Sequence, residues 1–109
     1  MPTATKIDLT SYMADTSATL NSALSYINDA GKAEKAAAAK AAAVRTPATL
    51  GASEASSAKA IFESINEQQD ALVGAGLDPA VVCGKLLQYA ATLAQSAKSR
   101  LIDAAAAAS

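Results

Sequence analysis

Near the start of the chain, large apolar residues return every seven positions, at Met13, Leu20 and Ile27, with Ser17 and Leu24 at the intervening half-turns. A single stripe at that spacing predicts a helix over about residues 9–30, capped by Asp8 or Thr10. Tyr12 and Tyr26 each precede a stripe position and are expected to cover the edge of the seam with their hydroxyls in water. A second stripe, Ala58, Ile61/Phe62, Ile65, Gln69 and Leu72/Val73, predicts a helix from about residue 53 that stops at Gly74-Ala75-Gly76. A third, Val82, Leu86, Tyr89/Ala90, Leu93, Ala97 and Arg100/Leu101, follows Asp78-Pro79. Aspartate is a preferred N-cap and proline suits the first helical position, while Leu77 and Val82 have the spacing of a hydrophobic staple. No segment alternates with the period of a strand.

Between the first two stripes lies "GKAEKAAAAKAAAVRTP", residues 31–47, in which Val44 is the one large apolar residue. Its helix propensity is the highest in the chain. Continuation of the first helix through Gly31, straight or slightly kinked, is the favoured reading over a loop there. It costs ~1 kcal/mol and makes a rod of about 37 residues, ~55 Å long. Arg45-Thr46-Pro47 is expected to end that helix, because a residue before proline resists the helical region, and Gly51 and Ser53 offer a new start. The fold class expected is all-α, an antiparallel bundle of three long helices, or four if Gly31 is a break. It forms a single domain over residues 1–109 with flexible ends at about 1–7 and 104–109.

Composition sharpens this picture. Alanine fills 30 of 109 positions and serine plus threonine another 19, which favours helices that approach closely over a bulky core. There is no histidine, the commonest general base and metal ligand. With no tryptophan, one phenylalanine and three tyrosines, the aromatic anchors that dominate binding energy are few. A formal charge of −1 gives no general attraction to nucleic acid or anionic membrane. No stretch reaches the ~20 apolar residues of a membrane span, and no signal peptide is read at the N-terminus. The chain is expected to be soluble.

Candidate chemistry is sparse. Glu63, Glu67 and Asp70 read as a solvated acidic face, with Lys59 as an i,i+4 partner of Glu63, because a helical di-metal site needs histidines. Cys83 reads as a small apolar residue, since no basic group adjoins it on its face. Residues 32–45 carry net +3 and residues 54–70 net −3, which suggests a match within the chain or between subunits. Catalytic, cofactor, metal, nucleic-acid, membrane and small-molecule sites are not expected. The alanine-rich segment cannot anchor itself by buried area, so it is expected either to project beyond the bundle as the distal part of a longer helix or to pack closely on another small-residue surface. The candidate packing or interface residues are Ala36, Ala37, Ala39, Lys40, Ala43, Val44, Ala90, Leu93, Ala94 and Ala97. The expectation is a non-enzymatic structural or assembly protein, a homo-oligomer or part of a protein complex such as a virion, tail or secretion apparatus. A helical adaptor or secreted interaction module is the alternative.

Overall fold

A computed structural model describes residues 6–32 and 37–109. Four helices follow in order: α1 (Thr10–Gly31), α2 (Ala38–Gly74), the single turn α3 (Pro79–Val82) and α4 (Gly84–Ala108). Among the described residues there is no strand, and the protein is an all-α bundle. It is a rod of 66 × 17 × 15 Å. The long α2 is its spine, with α1 and α4 both lying along it and touching each other far less.

The number of long helices agrees with the apolar pattern, but the breaks fall elsewhere. The first helix does not run on through Gly31; it ends there, and the chain direction has reversed when α2 starts at Ala38. Antiparallel pairing follows from two contacts at opposite ends of the helices. The Arg45 guanidinium donates to the Ala30 carbonyl at 3.3 Å, supplying one of the acceptors that a helix C-terminus leaves without a partner. At the other end the Gln69 side chain bonds the Ile7 backbone. Folding back buries the faces of α1 and α2 against each other, which a straight rod leaves in water.

Pro47, in turn, does not break the chain: it sits inside α2. Its ring removes one backbone N–H from the ladder, at a cost of ~3 kcal/mol in a helix interior. Packing compensates: Ala41, Val44, Ala48 and Gly51 around it are all buried, so a break at 47 would open that seam to water. Gly51, expected to begin a new helix, instead lets α2 and α4 approach. A methyl group there would lie 3.1 Å from Cβ of Arg100 and 3.3 Å from the Ala97 carbonyl oxygen.

The buried residues of α2 are Ala41, Val44, Ala48, Gly51, Ala55, Ala58, Phe62, Ile65 and Gln69, alternating steps of three and four without interruption. That is a seven-residue repeat, the geometry of helices that pack along their length. Facing it, α4 buries Ala90, Ala97 and Ala104, again seven apart and preceded at the same spacing by Cys83. α1 buries Thr16, Ala23 and Ala30, preceded by Leu9, with Thr19 beside them. Small side chains on facing helices let the backbones come close. Volume is concentrated at one end, where Leu9, Phe62 and Ile65 form the bulky core with Met13, Ile61, Leu72 and Leu87 against it. Buried threonines are satisfied within α1: the Thr16 hydroxyl donates to the Tyr12 and Met13 carbonyls and Thr19 to that of Asp15.

Neither Asp8 nor Thr10 is the N-cap of α1: Leu9 holds that position without a side-chain cap, and Asp8, one residue earlier, accepts from the Thr10 backbone N–H at 3.1 Å. The signals at residues 74–80 hold. α2 ends with Gly76 at φ 78°, the N–H of Leu77 donating to the Leu72 carbonyl and that of Gly76 to Val73. This is the six-to-one and five-to-two pairing of a left-handed glycine cap. Asp78 then accepts from the Ala80 N–H at 3.1 Å, with Pro79 in the first turn.

Candidate interaction surface

The hairpin of α2 and α4 decides which apolar residues remain in water. α4 turns Cys83, Ala90, Ala97 and Ala104 towards α2, with Leu87 and Ala94 half-buried between them. Of the stripe legible in the sequence, Ala90 and Ala97 belong to this set, whereas Val82, Leu86 and Tyr89 are displaced from it by one residue, about 100° around the helix. These three therefore lie beside the seam, and all are exposed. Leu93, next in that row, is half-buried against the bulky core. Val81, 78% exposed, and Leu77 adjoin the row at the hairpin tip, so large apolar side chains gather at one end of the rod. The staple pair Leu77 and Val82 belongs to this patch, each about half exposed. The charged groups within it are Asp78, which caps α3, and Lys85.

The candidate interface residues separate into two groups. Val44, Ala90 and Ala97 are buried in the seam of the chain itself, and Leu93 and Ala94 are half-buried beside it. Ala37, Ala39, Lys40 and Ala43 are exposed, and Ala36 lies outside the described residues. Comparison with known proteins finds no matching family model, no similar curated protein and no similar solved structure. Function is therefore argued from the residues alone.

Charge is arranged along the rod. Among the described residues no ion pair joins the basic segment 32–45 to the acidic segment 54–70; Arg45 and Glu54, which come nearest in sequence, lie on one helix about 14 Å apart along its axis. Of the described residues, Lys98 with Asp15 at 2.6 Å and Arg100 with Glu54 at 3.3 Å bridge helices, and Lys6, ahead of α1, pairs with Asp70. Lys59 stands 4.0 Å from Glu63, the i,i+4 partner legible in the sequence. Among the described residues no three carboxylates or thiols are gathered to hold a metal. No helix among the described residues is long and apolar enough to cross a membrane. A cleft of about 220 Å³ opens at the opposite end of the rod, lined by Tyr26, Asp29, Ala30, Lys40, Val44 and Ala108 among others.

Proposed function

We propose that this chain is a non-enzymatic structural or assembly subunit, a small helical part that self-associates or docks into a larger protein complex of the virion, tail or secretion-apparatus kind. The observation that carries the reading is the uncovered row Val82, Leu86 and Tyr89, with Leu77 and Val81 beside it. Contiguous apolar surface rimmed by polar residues marks association sites, and aromatic residues are enriched at their centres. The thin alanine seam adds a second reason, since small domains with modest cores are commonly stabilised by oligomerisation.

Sedimentation velocity over a concentration series tests this on the wild type and on the double variant Leu86→Asp/Tyr89→Asp. The wild type should form dimers or larger species, and two carboxylates in the row should disperse those held by it. A chain that stays monomeric at high concentration overturns self-association and favours the adaptor, a module whose partner is a different helical protein.

A further inference from the structure

The two ends of the rod are finished in opposite ways. At the hairpin tip apolar side chains protrude: Val81 is 78% exposed and Leu77 47%. At the other end the seam opens instead. Ala23, Ala48, Ala97 and Ala104 are fully covered, but Ala30, Ala41 and Val44 keep 7%, 8% and 7% of their surface. The cause is local: α4 finishes in five alanines, Ala104 to Ala108, and brings only methyl groups to the place where the long helices end. The cleft of about 220 Å³ lies there, with Ala30, Ala41, Val44 and Ala108 in its walls and Asp29 and Lys40 beside them. A cavity of about 150 Å³ accepts a benzene-sized guest, so the cleft has room for a valine side chain and part of a neighbour.

Charge at the two ends is complementary as well. Asp78 and Lys85 flank Val81 at the tip, Asp29 and Lys40 flank the cleft, and all four are exposed. Each tip charge therefore has an opposite charge to meet. Around them, Asp8, Glu67, Asp70 and Asp78 outnumber Lys6 and Lys85 at the tip, whereas Lys32, Lys40 and Arg45 outnumber Asp29 and Asp103 at the cleft end.

We propose that copies of this chain join head to tail: Val81, with Leu77 beside it, inserts into the cleft of a second copy, Asp78 approaching Lys40 of that copy and Lys85 its Asp29. The inference rests on the association reading above and gives the apolar tip its receptor. Because the two surfaces differ and lie at opposite ends, the contact is heterologous. Each copy can add another, and the assembly grows as a filament or closes as a ring according to the rotation between copies. Rods stacked in this way repeat at close to the 66 Å length of one molecule.

One variant at each surface tests the arrangement by sedimentation velocity and electron microscopy. Val81→Asp spoils the tip and Ala108→Trp fills the cleft; both positions are exposed, and circular dichroism checks that each chain stays helical. The wild type should form filaments or rings with that repeat. Either variant alone should lose at least tenfold in association. A mixture of the two should form dimers and stop there, because the Ala108→Trp copy keeps its tip and the Val81→Asp copy keeps its cleft. Asp29→Lys should weaken assembly about fivefold, and Asp29→Lys/Lys85→Asp should recover it. If Ala108→Trp and Asp29→Lys assemble like the wild type while Val81→Asp does not, the head-to-tail contact is overturned and association through the apolar tip stands. A mixture that stays monomeric also overturns the contact. Wild type that is monomeric at high concentration overturns self-association altogether.

Discussion

Gln69 shows how one side chain can fix a segment far from it in sequence. It is buried at a position where the seven-residue repeat asks for an apolar residue, and its amide meets both backbone groups of Ile7. Nε2 also donates to Asn66 at 3.2 Å. Primary amides carry donors and an acceptor together, so glutamine can stand in for a neighbouring backbone. Leucine at 69 fits the repeat better but leaves the Ile7 N–H and carbonyl without partners. Gln69→Leu should therefore destabilise by about 1–3 kcal/mol, read as a lower midpoint in urea. A neutral or stabilising effect would show that the clasp contributes nothing. The glutamine is legible in the sequence as part of a stripe; its partner, 62 residues away, is not.

At the scale of the element, propensity and tertiary contact disagree twice, and contact decides both times. Residues 31–37 have the composition of a helix, yet α1 ends at Gly31 and α2 runs back antiparallel from Ala38, because α1 gains a face to bury on α2. Pro47 has the signature of a helix end, yet α2 runs through it because the small residues around it are held between α1 and α4. Thr46, which precedes the proline, keeps its hydroxyl bonded to the Ala42 carbonyl at 3.1 Å. If packing is what holds this turn helical, Pro47→Ala restores a backbone bond and gives up only the half-buried surface of the ring. Thermal unfolding should then show a gain of about 1–3 kcal/mol, and a lower melting temperature would mean that the ring is needed where it is. By contrast, the ends marked by Gly76 and Asp78 are local devices, each closed by bonds to residues at most five positions away, and they form where the sequence places them.

For the molecule as a whole, α2 is held on two sides while α1 and α4 are held largely on one. Bulk is also uneven, with Phe62 and Ile65 at one end of the spine and alanines along the rest. Cooperative units of hydrogen exchange follow such differences in burial. Amides of α2 near Phe62 and Ile65 should be the slowest to exchange, and those of α1 should exchange through a separate opening of lower free energy. Equal protection across the three long helices would contradict this ordering. The same unevenness places the apolar row of α4 in water, since the hairpin register selects alanines for the seam and turns Leu86 and Tyr89 aside.

The sequence by itself determined the class of fold, the three stretches of helix and the turn at residues 74–78. These depend on periodicity and on caps formed between near neighbours. Only the tertiary structure decided that Gly31 ends a helix, that Pro47 does not, and which of two adjacent apolar rows on α4 is covered. Each of those choices turns on contacts between residues far apart in the chain. On α4 the apolar pattern points towards the bulkier residues Val82, Leu86 and Tyr89, and only the close approach of α2 and α4 selects the smaller row of Cys83, Ala90, Ala97 and Ala104 for the seam.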